Sequence, residues 1–428
     1  MGGLRGNCVL AQSGGPTTVI NASICGAIQE ASKSPKTFTG IYGSYNGILG
    51  ILEERMFDLT KEPADNIEGL KMTPAAALGS CRYKLKDPKT SRVDYERILE
   101  VFKAHNIRYF FYAGGNDSMD TADKIVRLAG ESGYEMIAIG IPKTIDNDLA
   151  ETDHSPGYGS VVKYNATTVM EAGKDTEALH THDTCTILEI MGRNAGWIAA
   201  GTGLARRSPE DAPHLIYVPE VPFEIEKFVE DVRQTLKEFK GCVIAAGEGI
   251  RDKDGHYVGE AGGKFGRDAF GHTQLGGAAD VLRHIVETEV GVKCRTNRLG
   301  TCQRNGMHFA SLTDVNESYL CGQAAVQAAV KGISGKMVTL IRESDGPDYK
   351  CTTGLADLGK VANGEKFLPG DFLNERGNGI TDKMKQYVKP LVRGEAPIRI
   401  GDDGLPVYVR LEKHWVGKKT GHDYKPGK

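Results

Sequence analysis

"FFYAGGNDSMDTADKI", residues Phe110–Ile125, decides the fold. An apolar strand runs into Gly114-Gly115 and a helix follows. A turn of this kind offers backbone N–H groups to an anion. Asn116 and Asp117 stand where the anion would approach, and a carboxylate repels phosphate.

Working outward, the same scheme recurs. "NCVLAQSGGPTTVINASICGAIQEA" (7–31) reads as strand, glycine turn and helix. "EMIAIGIPKTIDNDL" (135–149), "TCTILEIMGRNAGWIAAGTGLA" (184–205) and "GCVIAAGEGI" (241–250) are strands with polar or glycine-containing ends. Buried apolar strands alternating with helices predict an α/β protein whose mainly parallel sheets are covered on both faces. Ligands then bind beyond the carboxyl ends of the strands, so these polar tips should converge on one cleft. The chain has 428 residues, too many for one ordinary core, and two domains are expected. Residues 251–277 are glycine-rich and read as loop. The stretch "KFLPGDFLNERGNGITDKMKQYVKPLV" reads as turns followed by a helix that Pro390 ends, within a C-terminal extension packed on the second domain.

Composition excludes several classes. The net charge is −3 and the pI about 6.4, unlike a nucleic-acid binder. No apolar run approaches a membrane span, and the N-terminus lacks the regions of a signal peptide. The nine cysteines include no Cys-x-x-Cys pair, which suits reduced, buried thiols rather than zinc. A cytoplasmic enzyme is the expectation. His180 and His182, at i and i+2 without further ligands, read as a polar loop.

Four motifs carry chemistry. Gly14 and Gly15 let backbone approach a ligand, although the same pair also fits a plain strand–helix turn. In "GIPKTIDNDL", Asp146 and Asp148 sit at a strand end beside Lys143 and Thr144, a set suited to phosphoryl transfer. One acid can act as a base while the other holds a metal; both could equally be solvated turn residues. Arg193 lies on a glycine turn, where it can bind phosphate or make a surface ion pair. Lys293, Arg295, Arg298 and Arg304 form a basic cluster that fits an anionic pocket or a solvated face. No Walker A pattern occurs, and no Gly-x-Gly-x-x-Gly follows the first strand.

In order along the chain, "GGPTTVINA", "YGSYNGILG", "LGSCR", "GGNDS", "PKTIDND", "MGR", "GEG" and "LGTCQR" together resemble the 6-phosphofructokinases. That resemblance implies two Rossmann-like three-layer domains facing across a cleft. One, residues 1–157 plus about 304–350, would take the phosphoryl donor. The other, about 158–303 plus 351–428, would take the sugar phosphate and carry the extension. Carried over by motif, Asp146 resembles the general base for the sugar 1-hydroxyl, and Asp148 the carboxylate serving Mg²⁺. Thr144, Met191, Gly192, Arg193, Glu248 and Arg304 match sugar-phosphate positions, and Thr301 stands where the family has a substrate-site histidine. Arg295 matches an arginine reaching across from a neighbouring subunit, which implies a homo-oligomer, dimer or tetramer. Gly14, Gly15 and Arg82 match the donor-phosphate side.

ATP-using members carry glycine where this chain has Asp117 and Lys143. Both replacements resemble the diphosphate-dependent branch. Asp117 would fill and repel the place of the α-phosphate of ATP, and Lys143 would add a cation for diphosphate. The implied reaction moves a phosphoryl group reversibly from diphosphate to O1 of fructose 6-phosphate. An ATP-dependent member and a non-catalytic sugar-phosphate-binding subunit are the alternatives. Asn116 departs from the pattern, standing where many members have a magnesium-linked aspartate. An amide brings no charge, so metal binding should lean on Asp148 and the donor oxygens.

Overall fold

The structure is a computed structural model and describes residues 4–182, 184–259 and 277–426. Most of the glycine-rich insert lies outside the described residues. Within them the chain forms two sheets. The larger has seven strands in the order β11-β10-β5-β4-β1-β2-β3. These are β1 (Gly6–Gln12), β2 (Phe38–Ser44), β3 (Met56–Asp58), β4 (Ile107–Gly114), β5 (Ile137–Pro142), β10 (Lys336–Ser344) and β11 (Lys350–Asp357). The smaller has the order β7-β8-β6-β9, with β6 (Cys185–Ile190), β7 (Leu215–Tyr217), β8 (Cys242–Gly247) and β9 (Cys294–Arg298). All pairs are parallel except β2–β3 and β10–β11 at the rims of the large sheet.

Strand periodicity explains why both faces of each sheet are covered. Along β4, Tyr109, Phe111 and Ala113 enter one core while Phe110 and Tyr112 enter the other. Along β8, Cys242, Ile244 and Ala246 face one way, Val243 and Ala245 the other. Cys185, Cys242 and Cys294 fall in register, forming a row across three neighbouring strands. Helices Ile20–Ser32 and Leu312–Val330 cover one face of the large sheet. They approach so closely that a Cβ on Gly322 would lie 1.9 Å from the Ser23 carbonyl oxygen. No helix among the described residues is long and apolar enough to cross a membrane.

The extension corrects one expectation. Residues 351–426 do not pack on the smaller sheet alone. β11 pairs antiparallel with β10, satisfying an edge that would otherwise be open. Leu358 and Val361 then enter the core of the large sheet. Residues Leu368 to Leu391, including the helix Asp382–Val388, do pack on the smaller sheet, and that helix stops just before Pro390. Beyond it the chain returns to the large sheet, where Leu411 is buried and Trp415 meets Phe57 and Tyr45 edge-on.

Candidate active site

The carboxyl ends of β1, β4, β5, β6 and β8 do converge, on a cleft of about 720 Å³. Of the residues carried over from the family's motifs, all but Gly192 and Arg295 line it, and Lys293 and Arg298 of the basic cluster do not. Gly192 shapes the turn beneath. Its φ of +131° suits glycine, and its N–H donates to Glu248 Oε1 at 3.3 Å. Arg295 is exposed on the edge strand β9, away from this cleft. His180 and His182 sit in an exposed turn after the helix Tyr158–Ala178.

On the large-sheet side, two glycines make room for two cations. Lys143 is buried, and its Nζ donates to the Gly15 carbonyl at 2.8 Å. A Cβ on Gly14 would lie 3.1 Å from that Nζ, and one on Gly15 would lie 2.9 Å from Arg304 Nη1. Gly14 also has a φ of +77°. The plain-turn reading of this pair therefore misses what the turn accommodates. Burial lowers the Lys143 ammonium to about 8, with the Asp146 carboxylate opposing and Arg304 adding.

Beside Lys143, the helix Asn116–Glu131 starts at Gly115 and presents its N-terminus to the cleft. Asp117 sits in the first turn, where the helix dipole favours it, half-buried and 3.3 Å from Lys84 Nζ. The acid at the tip is thus partnered, a contact invisible in the sequence motif.

The loop after β5 sorts its side chains by direction. Asp146 N–H donates to Thr144 Oγ1 at 3.1 Å. Asp146 and Asp148 face the cleft, while Asn147 between them is fully buried with φ +56°. Asn147 Nδ2 donates to the Tyr387 hydroxyl at 2.9 Å, and its Oδ1 accepts from Ser155 N–H at 3.0 Å. Burial and the like charge of Glu248 raise the Asp146 carboxyl to about 6, against Lys143 and Arg193. Burial and the like charge of Asp146 raise Asp148 to about 7.

Opposite, β6 and β8 deliver Met191, Arg193 and Glu248, and the short helix Cys302–Asn305 delivers Arg304. Met191 N–H donates to the buried Gln303 Oε1 at 3.1 Å. Three buried atoms in this cleft lack partners: Arg193 Nε, Arg304 Nε and Asn116 Oδ1. Buried polar groups are normally satisfied. Two idle guanidinium donors suit an anion on the smaller-sheet side. An idle amide oxygen near two carboxyls of raised pKa suits a hard cation on the other.

Residues 7–329 match the model of the family described as Phosphofructokinase. The chain belongs to the phosphofructokinase family. Two relatives span nearly its whole length. A pyrophosphate–fructose 6-phosphate 1-phosphotransferase of Xanthomonas campestris pv. campestris is 47% identical over 97% of this chain and 98% of its own. One of Halomonas elongata is 45% identical over 96% and 98%. The crystal structure of pyrophosphate-dependent phosphofructokinase from Marinobacter aquaeolei superposes with a TM-score of 0.89 at 41% identity, covering 98% of this chain and 100% of that one. The phosphofructokinase cleft also holds residues that motif reading missed. Glu365 arrives from the extension, while Thr17 and Asn194 lie one or two residues from matched motif positions.

Proposed function

We propose that this phosphofructokinase transfers a phosphoryl group from diphosphate to O1 of fructose 6-phosphate, giving fructose 1,6-bisphosphate and phosphate, reversibly. One observation carries the reading. Lys143 and Asp117, the latter paired with Lys84, line the same cleft as Asp146 and the unpartnered Arg193 and Arg304 donors.

Arg193 and Arg304 bind the 6-phosphate in this reading, with Glu248, Thr301 and Met191 on the sugar. Asp146 takes the proton from O1, and a carboxyl near 6 is suited to that task. O1 then bonds to the terminal phosphorus, the bridging P–O bond breaks, and phosphate leaves. Lys143, Arg82 and the N–H groups around Gly14 and Gly15 hold the donor oxygens and the charge that develops on the leaving group. Asp148 and Asn116 Oδ1 would hold Mg²⁺, whose chemistry is to neutralise donor oxygens. Asp117 occupies space and adds charge where a nucleotide would continue beyond its second phosphate, whereas diphosphate ends there.

A homo-oligomer goes with this reading, since Arg295 is exposed outside its own cleft and would serve a neighbour's. The buried thiols support a cytoplasmic setting. The test is turnover of purified protein with fructose 6-phosphate and Mg²⁺. Activity with diphosphate and none with ATP is expected, and the reverse would sink the proposal.

A further inference from the structure

Lys366 belongs to the extension, yet its ammonium is committed to the loop that carries the cleft carboxylates. Lys366 Nζ donates to the carbonyls of Asp153 at 2.7 Å and Thr152 at 3.2 Å, and to Asn147 Oδ1 at 3.4 Å. Its backbone N–H donates to the Asp148 carbonyl at 2.8 Å. On the other side, its carbonyl accepts from Trp197 Nε1–H at 3.0 Å, and Nζ lies 5.1 Å from the Trp197 ring centroid. Trp197 begins the helix that follows Arg193. One residue therefore joins the donor-side loop to the sugar-side wall.

Anchoring the extension does not require this cation. Leu368 is buried, its N–H donates to Glu220 Oε1 at 3.0 Å, and the backbone of Lys366 is already bonded on both sides. An ammonium held among two backbone carbonyls and a carboxamide gives up hydration, which is costly. An apolar side chain would anchor as well without that cost. What the ammonium alone supplies is three hydrogen bonds to the back of the Asn147–Asp153 segment and the contact with the Trp197 ring.

We propose that Lys366 is a positioning residue for phosphoryl transfer, fastening this loop from behind so that Asp146 and Asp148 stay aimed into the cleft. The role rests on the reaction proposed above. A displacement of about 1 Å in such groups can cost on the order of 100-fold in rate.

Lys366→Met keeps the stem and loses the ammonium. We expect kcat to fall about 10- to 100-fold, with KM for fructose 6-phosphate and diphosphate held within about threefold. In Lys366→Ala, propylammonium, which replaces the deleted atoms, should restore kcat saturably, and 1-propanol, of the same size without the charged donors, should not. Wild-type kcat in Lys366→Met overturns the proposal. So does a kcat loss matched by loss of folded protein in circular dichroism, or rescue by 1-propanol. If Lys366→Ala does not fold, the Lys366→Met result decides alone. Wild-type activity with ATP and none with diphosphate would refute the donor assignment instead, and the same comparison run with ATP would still test Lys366.

Discussion

Asp146 and Asp148 both reach the cleft because Asn147 turns the other way. A left-handed residue at φ +56° reverses the local direction, and asparagine tolerates that conformation while its amide bonds the core. The sequence shows Asp-x-Asp, and a loop with that spacing could as well be solvated; the buried asparagine is what rules that out here. Asp146→Asn should lower kcat by about 10²–10⁴-fold, measured in a coupled assay at saturating diphosphate. A loss smaller than tenfold would remove Asp146 from the role of base. Gly15→Ala places a methyl 2.9 Å from Arg304 Nη1, so the guanidinium must shift. KM for fructose 6-phosphate should rise about tenfold, roughly the effect of losing 1–2 kcal/mol at one charge-assisted contact. An unchanged KM would mean Arg304 does not hold the sugar phosphate. These residues were legible because each sits in a short motif at a strand end. Lys84 and Glu365 were not, because their place depends on how a loop and a distant segment fold back over the cleft.

The segment leaving that loop carries its own charge cluster. His154 is buried between Asp153, 2.7 Å from Nδ1, and Glu317, 2.6 Å from Nε2, on the helix Leu312–Val330. Arg342 bonds Asp153, and Tyr349 bonds Glu317. Burial opposes the charge on His154, but the two carboxylates outweigh it and raise the imidazole from 6.5 to about 9. Burial likewise opposes the Asp153 charge, and His154 with Arg342 holds it down at about 2. The sign follows from linkage. The raised histidine contributes fully below pH 6.5 and loses its contribution as pH rises toward about 9. The lowered aspartate contributes above 3.8 and loses its share as pH falls toward about 2. The thermal midpoint of the wild type should therefore fall between pH 6.5 and 9, and His154→Gln should flatten that slope in differential scanning calorimetry. Equal slopes would show that His154 is neutral in the folded chain. None of this cluster was apparent from the sequence, since its members are scattered from position 153 to 349.

At the scale of the molecule, the alternation of apolar strand and helix gave away two parallel sheets and the end at which their tips meet. It did not reveal the path of the last eighty residues. Those residues lack periodic patterning, and their place is set by gaps left elsewhere: the open edge of β10, the back of the Asn147–Asp153 segment, the rim near Phe57. Leu411, 5% exposed in the core of the large sheet, makes the point testable. Leu411→Ala should cost about 2–5 kcal/mol, read as a lower urea midpoint. No shift would mean the returning segment is ornamental to the large sheet.

The inward-facing cysteines give the chain a built-in stopwatch. Seven thiols are buried, Cys351 is half-buried, and Cys302 alone is exposed. Burial pushes the Cys8, Cys25 and Cys321 thiols up, to about 12 at Cys25, and all seven are shut off from solvent, so they resist alkylation while the chain is closed. A maleimide added to native protein should mark Cys302 within minutes, and the buried seven only when the molecule opens. At maleimide concentrations where labelling outpaces reclosing, counting labels by intact mass against time then reads the opening rate, without dye, denaturant or substrate.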